Sequence, residues 1–314
     1  MKTINELAEV AEAMVMNPKQ FQHVVVSLDL SCMDQSVLEY LDFWADQFPI
    51  RQISAVHVVP GFNFLRAIPD PDLMGLGGMI DLTDQLLGSL KKTCFDYFEN
   101  EGNAQMNFHI LEGNPLEVIL RIAEESESEL LILGKKPFNE GQGILAKNLI
   151  RKAAANTLVV PEQAKESIKR ILVPIDFSDS SGKAFQEAIE MAQSLSERPV
   201  IDLLYIFDSP DLSVYKVQIP REAYHGMLTT YVQEAMDNFL ENHRGTWKGK
   251  VNTRMLEKER PGIAPYIYQE ALENGNDLII IGAKGHSTVE RLFLGSVTEK
   301  LLHINDSIPV LVIK

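Results

Sequence analysis

The stretch Leu278-Ile279-Ile280-Ile281-Gly282-Ala283-Lys284-Gly285 decides the fold, because it leads from an apolar strand straight into a loop. Nine residues separate Gly285 from the next motif, Gly295-Ser296-Val297-Thr298. Consecutive apolar residues without alternation are typical of a parallel strand covered on both faces. The glycines allow a sharp turn and a close approach to a ligand. This G-x2-G-x9-G-S pattern predicts a phosphate-wrapping loop, with the N–H groups of a new helix facing the anion.

The same unit occurs twice in the chain, at an offset of about 150 residues. Such a long repeat indicates a duplicated domain, and the alternation of apolar runs with helical patterns indicates parallel βα units. The aligned segments are 23–31 with 170–178, 129–134 with 277–282, and 158–160 with 310–312.

The second copy shows the pattern most clearly. Strands are predicted at 170–175, 200–207, 250–256, 277–282 and 308–313, and helices at 180–196, 221–244, 261–274 and 295–304. Asp179-Ser180 is the expected cap of the first of these helices, with Ser178 as a further candidate, and Pro261-Gly262 is expected to open the third. Pro161 to Ser167 is the expected linker, which gives domains at 1–162 and 168–314.

Residues 170–314 resemble a universal stress protein domain, and the whole chain resembles the tandem form of that family. The resemblance rests on Ile171–Ser178, Leu203–Phe207, Asp277–Gly282 and the glycine loop running into Glu299. It implies an α/β fold of two tandem doubly wound domains, each a five-stranded parallel sheet in the order 3-2-1-4-5 flanked by helices. A crevice is then expected where Asp176 and Gly282 end neighbouring strands.

The resemblance also implies ATP, arriving with Mg²⁺, as the ligand of the second copy. Pro174 to Asp176 would border adenine and ribose, Ile206 would lie under the base, and the loop and helix start would hold the phosphates. The complete set of expected nucleotide-binding residues is Pro174, Ile175, Asp176, Ile206, Ile281, Gly282, Lys284, Gly285, Gly295, Ser296, Val297 and Thr298. Each has a simpler alternative, such as a helix cap for Asp176 or an ordinary turn for Gly285.

The first copy departs from this pattern. Pro137 stands in place of Gly285, and Ile144, Leu145 and Ala146 replace the residues that follow Gly295. Asp29 and Gly134 remain, but Ser27 replaces Pro174. A shortened loop without hydroxyls predicts that this degenerate copy does not bind ATP in the family's mode.

Two other segments carry hypotheses. The stretch from Pro60 to Ile80 is apolar and rich in glycine, and it is expected to be too irregular for a long helix. It is either a loop folded on its own domain or a mobile flap over an apolar ligand or protein partner. Met1 to Met16 is expected to form an amphipathic helix rather than a signal peptide.

Composition limits the class of protein. The net charge is −15, with 12 Lys and Arg against 23 Asp and Glu in residues 1–162, which argues against nucleic acid as a partner. No apolar run is long enough to span a membrane. Cys32 and Cys94, without a CxxC pair, indicate buried thiols in a cytoplasmic protein. No helix-borne metal motif, P-loop or GxGxxG fingerprint occurs, so neither catalytic residues nor a protein-only metal site is expected.

The leading hypothesis is therefore an ATP-binding stress protein in which nucleotide tunes conformation or partner choice. The alternatives are a slow ATP hydrolase or adenylyl transferase, and a nucleotide-independent scaffold or chaperone. In the family, last strands pair across a two-fold axis, so Thr157–Val160 and Pro309–Ile313 are expected to pair within the chain. This favours a monomer over a homodimer, because the two halves of one chain would pair as two subunits of a dimer do.

Overall fold

The computed structural model describes residues 21–59, 76–99, 104–136, 144–209, 221–285 and 294–314. The elements of the first half are β1 His23–Ser27, α1 Met33–Gln47, β2 Gln52–Val59, α2 Leu76–Tyr97, β3 Gln105–Glu112, α3 Pro115–Glu125, β4 Leu130–Lys135, α4 Ile144–Lys152 and β5 Asn156–Pro161. Those of the second half are β6 Arg170–Ile175, α5 Asp179–Ser194, β7 Val200–Phe207, α6 Arg221–His243, β8 Val251–Glu257, α7 Ala264–Glu273, β9 Leu278–Gly282, α8 Ser296–Ile304 and β10 Val310–Ile313.

The strands form one ten-stranded sheet in the order β3-β2-β1-β4-β5-β10-β9-β6-β7-β8. Each half thus has its strands in the order 3-2-1-4-5, all parallel, which confirms the predicted doubly wound fold. The second half repeats the parallel pairing of the first. None of the helices in the described part of the chain is both long and apolar enough to cross a bilayer.

The two halves meet through the antiparallel pairing of β5 with β10, as expected from the sequence. Val310 pairs with Val159 and Leu311 with Leu158, and both leucines are fully buried. The pairing removes two sheet edges whose exposed N–H and C=O groups would otherwise invite association.

Apolar runs explain why the sheet is buried on both faces. Alternate residues of β9 point to opposite sides, so Leu278 and Ile280 join one hydrophobic cluster while Ile279 and Ile281 join the other. Helices α1, α2, α5 and α6 cover the first face, and α3, α4, α7 and α8 cover the second. This two-sided burial is why the strands read as continuous Ile, Val and Leu.

Some local expectations were wrong. Helix α5 is capped by Ser178, whose side chain accepts from the N–H of Ser181 at 3.3 Å, and Asp179 is already helical. Helix α7 begins at Ala264 rather than at Pro261. Cys94 is buried, but Cys32 is exposed because it precedes α1 on the solvent side.

The segment from Pro60 to Ile80 is only partly described. Its last five residues already belong to α2, which begins at Leu76, so the expectation of no long helix was wrong there. Residues 60–75, and with them most of the proposed flap, lie outside the described part of the chain, as do residues 1–20 with the expected N-terminal helix.

Replacing Leu311 by Ala tests how much the seam stabilises the molecule. Leu311 is fully buried, so we expect the free energy of unfolding to fall by about 2–5 kcal/mol. Leu272→Ala is the matched control, because Leu272 is 51% exposed and its loss is expected to cost no more than about 0.5 kcal/mol. Urea denaturation compares the two variants, and equal stability of both would show that the seam contributes little.

Candidate functional site

The β6–β9 ladder stops short of the carboxyl ends of the two strands, at the topological switch point where this fold is expected to have a crevice. Only Ile171 with Leu278 and Leu172 with Ile279 are paired in this ladder. The equivalent strands of the first half, β1 and β4, stay paired two residues further, as far as Ser27 with Leu133. Pro174 occupies the position of Ser27 in the repeat, and proline has no N–H to donate to a neighbouring strand. The hydrogen-bonded ladder therefore ends at the place where the sequence predicted a ligand.

Asp176 follows β6 directly and is held by the turn that leads into α5. Its Oδ1 accepts hydrogen bonds from the backbone N–H of Ser178, at 3.1 Å, and from the Ser178 hydroxyl. Phe177 between them has a φ of +62°, which is unfavourable for a residue with a Cβ. Its ring packs 4.4 Å from that of Tyr205 and 5.8 Å from that of Phe239, and these contacts offset the backbone strain.

The Tyr205 phenol lies close enough to Asp176 for the charge of that carboxylate to change the pKa of the phenol. Burial raises the pKa of the Tyr205 phenol, and the nearby carboxylate of Asp176 raises it further. Sequence analysis missed Phe177, Ser178 and Tyr205 as parts of the site, since none of them belongs to the glycine pattern. Ser178 holds the Asp176 carboxylate by two hydrogen bonds, and the rings of Phe177 and Tyr205 pack together beside this turn.

At two positions of the loop, neighbouring atoms come so close to the backbone that only glycine fits without a shift. A Cβ on Gly285 would lie 2.7 Å from Oδ2 of Asp176, so the loop is pressed against this carboxylate. A Cβ on Gly282 would lie 2.3 Å from the hydroxyl oxygen and 2.9 Å from the carbonyl oxygen of Ser180 at the start of α5. The Ser180 hydroxyl also accepts from the backbone N–H of Lys284, at 3.4 Å. Ser180 is therefore a further site residue that the glycine pattern did not identify.

Helix α8 is tied to the end of β9 by two hydrogen bonds. The buried hydroxyl of Thr298 donates to the carbonyl oxygen of Gly282 at 2.9 Å, and the N–H of Gly295 donates to the carbonyl oxygen of Ala283 at 2.8 Å. The hydroxyl of Thr298 is thus engaged in the fold, whereas Ser296 is exposed. Gly295 is the N-cap, and no side chain caps this helix among the described residues.

The N-terminus of α8 therefore lies beside the glycine loop. Its first turn has backbone N–H groups without partners inside the helix, and the positive end of the helix dipole is at the same place. At Gly295 a Cβ would meet no atom closer than 3.4 Å, the carbonyl oxygen of Ala283. With φ −59° and ψ 139°, its backbone is one that any residue adopts. Gly295 therefore does not relieve backbone strain; its missing side chain leaves open space in front of the N-terminus of α8.

The remaining predicted residues are apolar and belong to the buried clusters on the two faces of the sheet. Ile206 and Ile281 belong to the apolar cluster that also contains Ala283, and Val297 packs against it. Ile175 belongs to the cluster on the other face of the sheet. His286, and the loop from 286 to 293, lie outside the described residues.

Lys284 adds positive charge to the crevice. The pKa of Lys314 is lowered to about 8, first by burial and then by repulsion from Lys284. The Lys314 ammonium donates to the carbonyl oxygen of Ile150 in α4, which holds it near the seam. A negatively charged ligand near Lys284 would relieve this repulsion.

The corresponding place in the first half has a different chemistry. The repeat position of Ser180 is Met33, and a Cβ on Gly134 would lie 2.8 Å from Cγ of Met33 and 2.9 Å from a methyl group of Val37. Asp29 forms an ion pair with Lys136. Although burial raises it, the pKa of the Asp29 carboxyl stays below its ordinary value because of Lys136 and Ser31. Pro137 and Gly143 lie outside the described residues.

Asp34 is the second acidic residue of this place, and it is buried. It accepts hydrogen bonds from the N–H groups of Asp29, at 3.1 Å, and Leu30, at 2.7 Å. Burial nevertheless raises the pKa of the Asp34 carboxyl to about 6. The equivalent residue in the second half is Ser181, so this titrating group is peculiar to the first half.

Comparisons with known proteins bear on both halves. A family model described as the universal stress protein family matches residues 167–314. A universal stress protein of Methanocaldococcus jannaschii is 31% identical over 150 residues, which is 46% of this chain and 82% of the relative. One of Synechocystis is 23% identical over 145 residues, covering 43% of this chain and 90% of the relative.

Two solved structures resemble nearly the whole chain. A universal stress protein from Archaeoglobus fulgidus matches with a TM-score of 0.65 and 18% identity, over 94% of this chain and 99% of the other. A protein from Pseudomonas aeruginosa, described as a putative universal stress protein, matches with a TM-score of 0.62 and 15% identity, over 96% and 95%. At these identities the likeness concerns the fold alone.

Replacing Thr298 by Val tests the link between α8 and β9. Valine keeps the shape but leaves the Gly282 carbonyl without its donor, so we expect a loss of about 1–3 kcal/mol in the free energy of unfolding. Thr298→Ser keeps the hydroxyl and is the matched control. Denaturation by urea measures both, and a Val variant as stable as the Ser variant would contradict the assigned hydrogen bond.

Asp34 is expected to make stability depend on pH. Its folded-state pKa of about 6 lies above the ordinary value of 3.8, so the folded protein binds the proton more tightly than the unfolded chain. The resulting stabilisation is fully present below the unfolded pKa and is lost as the pH rises through about 6. We expect the stability of the wild type relative to Asp34→Asn to fall by about 2 kcal/mol between pH 4 and pH 7. A stability difference that stays constant over this range would contradict the assignment.

Proposed function

The chain belongs to the universal stress protein family, and on that premise we propose that its second half binds ATP in the crevice between β6 and β9. Bound nucleotide would favour one conformation of the protein and so change its choice of partner. The early end of the β6–β9 ladder at Pro174 is the observation that carries the proposal, because it lies at the topological switch point of this half, where open α/β sheets bind their ligands.

The base end of the crevice suits a nucleoside. Pro174 to Asp176 form one side, and Ile206 and Ile281 give an apolar surface for a flat ring. Asp176 uses one carboxylate oxygen to hold Ser178, and its other oxygen faces Gly285. In our proposal this second oxygen accepts a hydrogen bond from a ribose hydroxyl.

The phosphate end suits a polyanion. The first turn of α8, from Ser296 to Thr298, offers backbone N–H groups, and Gly295 leaves them uncovered. Lys284 supplies a positive charge whose repulsion from Lys314 the phosphates would relieve. Mg²⁺ would arrive on the nucleotide, with the exposed hydroxyl of Ser296 as the protein group available to it.

We propose a binding role rather than an efficient enzymatic one. Phosphoryl transfer needs a group that positions water or removes a proton. The one carboxylate that the described residues bring to this crevice is Asp176, and it is engaged by Ser178. Steady ATP turnover that is lost with the glycine variant described below would instead support a slow hydrolase.

We further propose that the protein is a cytoplasmic monomer with domains at 1–162 and 168–314. The pairing of β5 with β10 joins the two halves within one chain and covers the strands that would otherwise pair between subunits. Light scattering should give the mass of one chain, 35.3 kDa, and the mass of a dimer would contradict this proposal.

Calorimetric titration with ATP and Mg²⁺ tests the proposed site. We expect one site per chain, with binding abolished in Gly295→Val, because the branched side chain would stand in front of the α8 N-terminus. Gly88→Ala is the control, since a Cβ there meets no atom within 4 Å and lies in the first half. Binding by Gly295→Val as tight as by the wild type would remove α8 from the site. The absence of binding in the wild type would favour the scaffold alternative.

A further inference from the structure

A cavity of about 870 Å³ lies in the first half, at the carboxyl ends of β1 and β4. Helix α4 of the first half and helix α8 of the second half both line it, so the antiparallel seam assembles it from the two halves. Its volume falls within the range of pockets that hold small organic ligands, about 300–1,000 Å³.

Inside this cavity, apolar side chains stand at positions where the second half has polar ones. Met33 lies against Gly134 at the position that Ser180 occupies beside Gly282. Leu133 and Leu149 contribute buried surface, with exposed fractions of 4% and 1%. Ile144 opens onto the cavity although it is 62% exposed. A concave apolar surface with a few charged groups at its edge is typical of a small-molecule site.

Nucleotide is a poor candidate for this cavity. Strands β1 and β4 remain paired as far as Ser27 and Leu133, two positions beyond the last pair of β6 with β9. Met33 removes the hydroxyl that Ser180 provides, and Ala146 replaces Thr298 at the helix start. The lining offers apolar contacts in the places where phosphate-binding groups would be needed.

The charges around the cavity favour an anion. The whole chain carries a net charge of −15, yet this lining has more lysines than acids. The lysines are Lys135, Lys136, Lys147 and Lys300, and the acids are Asp29, Asp34 and Glu299. Lys135 pairs with Asp306, Lys136 with Asp29 and Lys147 with Glu299. Lys300 is exposed and makes no ion pair with any residue that the structure describes.

We propose that this cavity is a second ligand site, for a small amphipathic molecule with one anionic head group. Its apolar part packs on Met33, Leu149 and Ile144, and its carboxylate, sulfate or phosphate head lies at Lys300. Ser296 lines this cavity and also belongs to the proposed phosphate end of the other site, whereas Asp176 and Gly282 do not line it. The proposal rests on the apolar lining and on Lys300, and neither of these requires that nucleotide binds in the second half.

Methyl NMR of protein labelled at its methionine methyl groups tests the site directly, with Met33→Leu to assign the Met33 signal. The probes are decanoate, decyltrimethylammonium and acetate, each below the concentration at which it forms micelles. Decanoate should shift the Met33 signal in a saturable way, whereas the cation with the same chain and the head group alone should not. An equal response to the cation, or none to decanoate, would overturn the proposal.

Two variants and a control locate the ligand. Ile144→Asp places a carboxylate in the apolar wall and should weaken decanoate binding about tenfold or more. Lys300→Gln should weaken it about two- to fivefold, as expected for one exposed charge. Leu272→Asp is the control, since Leu272 is also about half exposed but does not line the cavity. Decanoate affinity unchanged in both cavity variants, or lowered equally in the control, would contradict the site.

Discussion

The antiparallel pairing of β5 with β10 is the contact on which the arrangement of the whole molecule depends. It turns two five-stranded sheets into one sheet of ten strands and buries Leu158 and Leu311 at the join. It also brings α4 and α8 together. Lys147 of α4 pairs with Glu299 of α8, and Lys135 at the end of β4 donates to the carbonyl oxygen of His303 and to Asp306. These contacts place the helix that we propose for phosphate binding against the wall of the first-half cavity.

Small differences at equivalent positions have given the two halves different crevices. Pro174 ends the β6–β9 ladder early, whereas Ser27 lets β1 and β4 stay paired. Ser180 sets a hydroxyl against Gly282, whereas Met33 sets a thioether chain against Gly134. Both copies keep an aspartate after the first strand, followed by a residue with positive φ, Leu30 or Phe177. The turn after the first strand is thus common to both halves, whereas the side chains beside it differ.

The sequence predicted the strands well because buried parallel strands appear as uninterrupted apolar runs. Duplication helped further, since an ambiguous segment in one half has a clearer counterpart in the other. The glycine spacing predicted a site at the end of β9, and the structure brings Gly285 of that pattern against Asp176. The family resemblance supplied the strand order, which periodicity alone does not give.

Other features depend on contacts that no local pattern encodes. Thr298 turns its hydroxyl inward because α8 begins at Ser296, and a shift of one residue in that start would have turned it elsewhere. Phe177 tolerates its backbone because Tyr205 and Phe239, distant in sequence, pack on its ring. The exposure of Cys32 follows from where α1 begins. The first-half cavity exists only once both halves have docked.

The central claim is that one half of a duplicated chain holds nucleotide and the other half does not. A crystal structure of the protein grown with ATP and Mg²⁺ tests this most directly. Our account predicts nucleotide density between Asp176, Gly282 and the start of α8, and none beside Asp29 and Gly134. Density in the first-half crevice, or an empty second-half crevice at saturating ATP, would contradict it.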